Sequence, residues 1–369
     1  MAFTVALCAL LQGGTPAEVS LGKPERVFAE SFAQVRGLRE LADGRVLISD
    51  RLDKGVVALD FMTNTLRQIG RTGRGPAEYR LPTALRALPG DSTLLIDEGN
   101  SRIAIIGPDL QIHRSFTLIL PGLDFGSGAR AVDRAGRFYT QLPGWMNREP
   151  NDSVGVVRFD VRSKRVDTLL KVKGMSWLPP GPRYGMGWVV FAPQDVWSAT
   201  SDGRIAVVRS GDYHVEWYEP NGRVTRGAAV PFEPVPVTMA ERRAYVRNFL
   251  ENSNVGGRGG DDALTAVPAD MMEEPRIQEM AERNTFAATK PAFTDAAPLL
   301  GSDGTLWVQR STKAGAGGQW DVFDATGRRI HRLRLPVGKH LAGLGVRWLY
   351  VIAIDDDGLQ HLERHPRPW

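Results

Sequence analysis

The segment Ile69–Pro82 reads I-G-R-T-G-R-G-P-A-E-Y-R-L-P and decides the fold. Three glycines lie close together at Gly70, Gly73 and Gly75, and Pro76 follows them. Glycine adopts positive φ without steric cost and proline fixes its own φ near about −65°, so this run cannot continue a helix or a strand. Strand-like sequence lies on both sides of it. The pattern therefore predicts a compact crossing from the edge of one sheet to the start of the next.

A similar set of strands occurs six times along the chain. Each repeat begins with an inner strand and a turn, continues with a strongly apolar strand, and ends with one or two further strands. The predicted inner strands begin at Leu38, Leu85, Ala129, Val196, Ala297 and Leu341. Repeats of about 40–50 residues with about four strands each are typical of β-propellers, so the sequence predicts an all-β, six-bladed β-propeller.

Two segments depart from the repeat. The sixth repeat has three strands, and Arg26–Glu30 predicts the missing fourth, an N-terminal strand that closes the last blade and removes an exposed edge. Residues 238–286 separate blades 4 and 5. A capping box at Thr238 and Glu241, followed by apolar residues at helical spacing, predicts a helical insertion within one propeller domain, residues 18–369. The insertion is either a lid over the channel or a cap on blade contacts.

The opening segment resembles the passage I-G-x-x-G-x-G-P-x-E-F/Y-x-x-P that joins repeats in the NHL family of β-propellers. The matching residues are Ile69, Gly70, Gly73, Gly75, Pro76, Glu78, Tyr79 and Pro82. The step Asn100-Ser101-Arg102-Ile103 is also similar to the N-x-R-I/V step of NHL repeats. The resemblance is sharp in the first two repeats and diffuse in the others. It implies an NHL-like six-bladed propeller of the bacterial, exported type.

The N-terminus predicts export. The apolar run Ala2–Leu11 is too short to span a bilayer and is followed by small residues. We interpret residues 1–17 as a signal peptide, with a cleavage site near Thr15–Ala17, and expect a periplasmic or extracellular protein without a transmembrane segment. A buried first strand is the alternative, because no positive charge precedes the run. The single cysteine, Cys8, excludes a disulfide framework.

The charge pattern disfavours nucleic acid as a partner. The 369 residues carry a net charge of +4, and the charges are interspersed without a basic block. Three arginines, Arg39, Arg86 and Arg130, share one predicted register in the first three inner strands, where the fourth has Trp197. Guanidiniums that converge at the channel mouth on the insertion side would bind a carboxylate or phosphate. Alternatively, each arginine pairs with an acid on a neighbouring blade.

A second predicted ring comes from the ends of the second strands. Its members are Asp50, Asp97, Gln141, Arg209 and Arg310. Lactonases of the gluconolactonase and paraoxonase type share the six-bladed fold and hold a divalent cation near the channel. Asp50 and Asp97 could supply oxygen ligands to Ca²⁺, but the two arginines in the same ring oppose a cation. We therefore predict no cofactor, with Ca²⁺ at these two aspartates as the alternative.

No catalytic constellation is evident in the sequence. The six histidines are scattered, and neither a phosphate loop nor a G-x-S-x-G elbow is present. Trp145, Trp177 and Trp188 either line a ligand groove or pack loops onto the sheets. The leading hypothesis is a non-catalytic propeller of the cell envelope that binds a protein or an anionic small molecule, with Arg39, Arg86, Arg130, Trp197, Arg209 and Arg310 as ligand-binding residues. A metal-dependent hydrolase, lactonase or lyase is the alternative, and a structural subunit of a surface assembly is the third hypothesis.

Overall fold

The computed structural model describes residues 18–53, 55–117, 129–142, 153–178, 186–252 and 269–369. Six sheets, antiparallel apart from one short N-terminal strand, form the six blades of a β-propeller. The predicted signal peptide, residues 1–17, lies outside the described residues. Within the described ranges, no helix is long and apolar enough to cross a bilayer.

The first half of the ring consists of the N-terminal strands and blades 1 to 3. The N-terminal strands are β1 (Glu18–Ser20) and β2 (Arg26–Phe32). Blade 1 contains β3 (Val35–Glu40), β4 (Val46–Asp50), β5 (Gly55–Asp60) and β6 (Thr65–Gln68). A small connecting pair follows, β7 (Arg71–Thr72) and β8 (Glu78–Tyr79). Blade 2 contains β9 (Pro82–Ala87), β10 (Thr93–Asp97), β11 (Arg102–Ile106) and β12 (Ile112–Phe116), with 3-10 turns at Pro89–Asp91 and Glu98–Asn100. Blade 3 contains β13 (Ala131–Val132), β14 (Phe138–Gln141), β15 (Ser153–Asp160) and β16 (Arg165–Lys173).

The second half of the ring repeats the pattern around the insertion. Blade 4 contains β17 (Val196–Ala199), β18 (Ile205–Arg209), β19 (His214–Tyr218) and β20 (Val224–Arg226). The insertion contains α1 (Met239–Asn252), a 3-10 turn (Ala269–Met272) and α2 (Glu274–Arg283), and the strands β21 (Val235–Pro236) and β22 (Thr289–Lys290) pair at its base. Blade 5 contains β23 (Leu299–Leu300), β24 (Leu306–Gln309), β25 (Gln319–Phe323) and β26 (Arg329–Arg334). Blade 6 contains β27 (Lys339–Leu344), β28 (Trp348–Ile354) and β29 (Gln360–Pro366).

The glycine-rich segment links the outer strand of blade 1 to the inner strand of blade 2, as predicted. Gly70 has φ of 64°, and a Cβ at this position would lie 2.7 Å from the Cδ1 atom of Ile112. The backbone N–H of Gly75 donates to the Glu78 carboxylate at 2.6 Å. Tyr79 is buried, and its hydroxyl accepts from the Val56 N–H at 3.0 Å. Glycine is needed at Gly70 because the crossing packs closely against the neighbouring blade.

Ring closure by the N-terminal strand is confirmed. β2 pairs antiparallel with β29 and supplies the fourth strand of blade 6. Phe28 and Phe32 are both about 1% exposed and pack with Val46 and Ile48 of blade 1 and with Leu362 of blade 6. The sequence did not predict β1, which pairs parallel with β26 as a fifth strand of blade 5.

The helical insertion between blades 4 and 5 is also confirmed. Its two helices pack against each other through an apolar cluster. The fully buried members of this cluster are Val246, Leu250, Ile277 and Ala281. These residues recur at the spacing of one helical face, which is the pattern that predicted the helices.

A buried ionic cluster stabilises the packing of blade 5 against blade 4. The Asp321 side chain is fully buried and accepts from Arg332 Nε at 2.8 Å, from Arg310 Nη1 at 3.0 Å and from the Tyr213 hydroxyl at 2.7 Å. Arg329 Nη1 lies 3.5 Å from the same carboxylate. Burial alone would raise the pKa of Asp321, but the hydrogen bond from Arg332 and the charge of Arg310 hold that pKa below its usual value.

The closing strand can be tested by one core truncation. We expect Phe28→Ala to reduce the free energy of unfolding by about 3–5 kcal/mol, because it leaves a cavity between blades 6 and 1. Val27→Ala is the matched control, since Val27 lies next to Phe28 on the same strand and is 51% exposed; its effect should stay within about 0.5 kcal/mol. Urea denaturation measures both. Equal effects of the two substitutions would contradict the proposed closure.

The Asp321 cluster predicts an acid-dependent stability. Because the folded-state pKa of Asp321 is below its unfolded value of about 3.9, the stabilisation is complete above that pH and is lost as the pH falls through the folded-state pKa. We expect Asp321→Asn to cost about 3–5 kcal/mol at pH 7, because it leaves buried arginines uncompensated. Asp356→Asn, at an exposed turn, is the control. Urea midpoints measured between neutral and acidic pH would contradict this if Asp321→Asn kept the full acid sensitivity of the wild type.

Candidate functional site

The two faces of the ring differ, and the difference decides where each candidate side chain lies. Every inner strand begins on the face that carries the insertion, called the insertion face, and ends in a turn on the opposite face. In blade 1, Gln34 precedes β3 and contacts α1, whereas Leu41 starts the turn at the other end of β3. Inner strands of neighbouring blades contact one another around the central channel, as β3 does with β9 and β27, and β13 with β9 and β17.

Arg39 lies near the opposite face and not, as the sequence predicts, near the insertion. It is the fifth residue of β3, and its guanidinium extends to the turn before β10 in blade 2. There it forms an ion pair with Asp91 at 2.7 Å and donates to the Ser92 carbonyl at 2.6 Å. Arg86 occupies the same position in β9. The predicted location was wrong because a residue two positions before the turn is at the end of the inner strand.

The predicted common register was also wrong for two of the four residues. The equivalent backbone hydrogen bonds that open the turns involve the N–H groups of Leu41, Leu88, Asp133 and Thr200. Arg39 and Arg86 lie two residues before the first residue of their turns. Arg130 and Trp197 lie three residues before the first residue of theirs. The predicted register matches Val132 to Leu41, whereas the turn of blade 3 starts one residue later. A shift of one residue directs a side chain to the other side of its strand.

Arg86 and Arg130 nevertheless meet in the channel wall. Arg86 Nε donates to the backbone carbonyl of Arg130 at 3.0 Å, and Arg86 Nη1 donates to the Leu85 carbonyl at 3.1 Å. The Arg130 guanidinium lies over the ring of Trp197 at 5.3 Å, a cation–π geometry. Among the described residues, neither guanidinium has a carboxylate partner, unlike Arg39.

The environment of these two arginines disfavours uncompensated positive charge. Burial lowers the pKa of Arg86, and the nearby charge of Arg130 lowers it further. The pKa of Arg130 is also lowered by the surrounding protein, although its side chain remains open to solvent. Both groups keep their positive charge, because the arginine guanidinium is not deprotonated in folded proteins. The site can therefore attract an anion.

The aspartates of the second ring have a repeated structural contact. Asp50 accepts from the backbone N–H groups of Ala33 and Gln34, at 2.9 and 3.0 Å. Asp97 likewise accepts from the N–H groups of Arg80 and Leu81, at 3.0 and 2.9 Å. Each carboxylate thus ties the segment that enters an inner strand to the end of the second strand. Within the described ranges, no group of three or more His, Cys, Asp or Glu side chains is arranged to hold a metal ion.

The remaining members of the second ring are engaged by protein groups. Gln141 accepts from the indole N–H of Trp197 at 2.9 Å. Arg209 forms ion pairs with Asp195 at 2.9 Å and with Glu216 at 2.6 Å. Arg310 belongs to the buried Asp321 cluster. The ligand-binding roles of Arg209 and Arg310 stay predictions, and any ligand would have to compete with these contacts.

The insertion passes over the channel mouth on its face. At the N-terminal end of α1, the Glu241 carboxylate pairs with Lys290 and accepts from the Ala314 N–H at 2.9 Å, which ties it to blade 5. At the C-terminal end, Gln34 Nε2 donates to the Glu251 carbonyl at 3.0 Å, and Arg36 Nη2 donates to the Asn252 carbonyl at 2.9 Å. One helix therefore connects blade 5 to the start of blade 1.

The sequence analysis did not identify two arginines that lie at this mouth. Arg36 lies at the start of β3, and Arg51 follows β4, where it donates to Gln34 at 3.0 Å. Burial lowers the pKa of Arg36 and of Arg51, and the charge of Arg51 lowers the pKa of Arg36 further. The negative charge of Glu98 acts in the opposite direction and raises both pKa values. The sequence contains the signal that could have identified Arg36, because a residue at the start of an inner strand lies at the insertion face and a residue at its end does not.

Two of the three candidate tryptophans lie in the part of the chain that the structure describes. Trp145 lies outside the described residues. Trp177 and Trp188 pack edge to face with ring centroids 6.1 Å apart, and Trp188 packs against Phe249 of α1 at 6.3 Å. They hold the connection between blades 3 and 4 against the insertion.

Comparison with known proteins shows no family for this chain. No family model matches the sequence, and no curated protein matches it. Among solved structures, the chain is similar to a Bacteroides fragilis protein inferred to be exported, with 12% identity, 95% of this chain and 100% of that chain covered, and a TM-score of 0.48. It is similar to a member of the DUF4221 family from Bacteroides vulgatus, with 9% identity, 93% and 95% coverage and a TM-score of 0.47. A gluconolactonase from Xanthomonas campestris shows 11% identity, 95% and 99% coverage and a TM-score of 0.43. Similarities at this level carry no argument about activity.

Proposed function

We propose that this protein is a non-catalytic binding propeller whose channel accepts an anionic ligand at Arg86 and Arg130. The observation that carries the proposal is the contact between these two residues in the channel wall, without a carboxylate partner among the described residues. The ligand is a small molecule with a carboxylate or phosphate group, or an acidic group of a protein partner.

The physical argument rests on charge compensation. Two guanidiniums that share one site repel each other, and the surrounding protein weakens the hydration of both. An anion between them would relieve this cost, and the planar donor fork of arginine suits carboxylate and phosphate oxygens. Trp197 supports the geometry, because its ring fixes the position of the Arg130 guanidinium.

Export and family membership belong to the same proposal. The apolar N-terminal run supports a signal peptide and a periplasmic or extracellular location. The segment Ile69–Pro82 supports an NHL-like propeller of the exported bacterial type. Trp197, Arg39, Arg209 and Arg310 complete the proposed ligand-binding set, with their present protein contacts as competitors.

The anion site predicts a selective loss on charge removal. We expect phosphate or citrate to raise the thermal unfolding midpoint of the wild type, because a ligand that binds only the folded state stabilises it. Arg86→Gln and Arg130→Gln should each reduce this shift by at least half without lowering the midpoint of the free protein. Arg134→Gln, at an exposed turn, removes the same charge as the control. Differential scanning fluorimetry at constant ionic strength measures the shifts.

Two outcomes would contradict the anion site. The first is that neither anion changes the midpoint of the wild type beyond the effect of chloride. The second is that Arg86→Gln and Arg130→Gln respond to phosphate and citrate as strongly as the Arg134→Gln control does.

A metal-dependent hydrolase, lactonase or lyase is the second candidate. It rests on the position of Asp50 and Asp97, fully buried carboxylates at the insertion-face ends of β4 and β10 in neighbouring blades. Such oxygens suit Ca²⁺, but each already accepts backbone hydrogen bonds.

Chelation separates the two candidates. Under the binding proposal, EDTA should leave the thermal unfolding midpoint unchanged, because no metal contributes to the folded state. If EDTA lowers the midpoint by several degrees and added Ca²⁺ restores it, the metal-dependent function replaces the binding proposal. In that case Asp50→Asn and Asp97→Asn should abolish the response to Ca²⁺.

A further inference from the structure

A cavity lies in the insertion. It has a volume of about 370 Å³ and lies between α2, the 3-10 turn before it, and the segment that leads into blade 4. This volume is within the range of small-molecule sites, about 300–1,000 Å³. None of the residues that line it belongs to the proposed anion site.

The walls of this cavity are apolar and adaptable. Trp188 and Phe249 form one wall, with their rings in edge-to-face contact at 6.3 Å. Met186, Met271 and Met280 form much of the remainder. Unbranched methionine side chains adjust to the shape of an apolar ligand, and aromatic rings provide a rigid surface for it.

The rim of the cavity carries an excess of positive charge. Arg276 and Arg283 lie one on each side of Glu279 on α2, and both pair with its carboxylate, at 2.7 and 2.9 Å. Two cations therefore share one anion. Both guanidiniums are at least half exposed and remain available for a further acceptor at the edge of the cavity. Asn284, a buried residue of the cavity lining, is already engaged by the backbone of Met186 and Met280.

We propose that this cavity is a binding site for a small amphipathic carboxylate. The apolar body of the ligand, an acyl chain or an aromatic ring, lies between Trp188, Phe249 and the methionines. Its carboxylate lies at the rim and accepts from Arg276 and Arg283. The complementarity of charge at the rim selects an anionic head group over a neutral or cationic one. This site is independent of the anion site in the channel.

The test compares ligands that share a chain but differ in the head group. We expect decanoate to quench or shift the fluorescence of the tryptophans at the cavity and to bind more tightly than decanol or acetate. In the double variant Arg276→Gln/Arg283→Gln, the affinity for decanoate should fall roughly three- to tenfold, towards that for decanol. Arg243→Gln, an exposed arginine on α1 that does not line the cavity, is the charge-matched control.

Two further variants locate the binding. Met271→Trp places a larger side chain at the cavity wall and should abolish decanoate binding, whereas Arg86→Gln/Arg130→Gln should leave it intact because those residues lie in the channel. Circular dichroism checks that each variant is folded. The proposal is overturned if decanoate does not bind, if Met271→Trp binds it as well as the wild type, or if the channel variant loses it. It is also overturned if decanol and decanoate bind equally to the wild type.

Discussion

The structure depends on the pairing of the first long strand with the last. β2 and β29 come from opposite ends of the described chain and form adjacent strands of blade 6. Their pairing fixes blade 6 against blade 1, because the phenylalanines of β2 pack into the core between those blades. Arg364 strengthens the same junction, with an ion pair to Glu25 at 2.7 Å and its guanidinium over the rings of Phe61 and Trp348. Without this closure, blades 1 and 6 would each expose an apolar face, and the channel would not be enclosed.

Within the closed ring, buried carboxylates set the geometry of the channel wall. Asp50 and Asp97 each hold the two backbone N–H groups that precede an inner strand. Asp195 makes the related contacts in blade 4, where it accepts from the N–H groups of Lys173 and Ser210. These acids therefore serve first as anchors for the backbone. The same anchors position the inner strands so that Arg86 reaches the backbone of blade 3.

The sequence was sufficient for the fold and insufficient for the site, for one physical reason. Turn glycines, strand patterns and the missing fourth strand are local signals, and they predicted the blades, the closing strand and the insertion. The direction of a side chain in the channel depends on the count of residues between strand and turn, which differs by one between Arg86 and Arg130. An apolar residue precedes the turn in both blades, so the pattern alone did not reveal this shift. β1 was not predicted either, because an edge strand of three residues is too short to show a periodic pattern.

The insertion gives the two faces of the channel different access. On the insertion face, α1 is attached at both ends, and the carbonyls at its C-terminal end accept from Gln34 and Arg36. The C-terminal end of a helix carries partial negative charge, which offsets the positive charge of Arg36 and Arg51 at this mouth. An anion arriving at this mouth would compete with the helix for Arg36. On the opposite face, the inner-strand turns surround the channel, and Arg39 is neutralised by Asp91. Arg86 occupies the equivalent position in the next blade but has no carboxylate partner among the described residues, and Arg130, which it contacts, has none either. This distribution favours an anion that approaches Arg86 and Arg130 from the face opposite the insertion, because the positive charge on the insertion face is already offset by the helix.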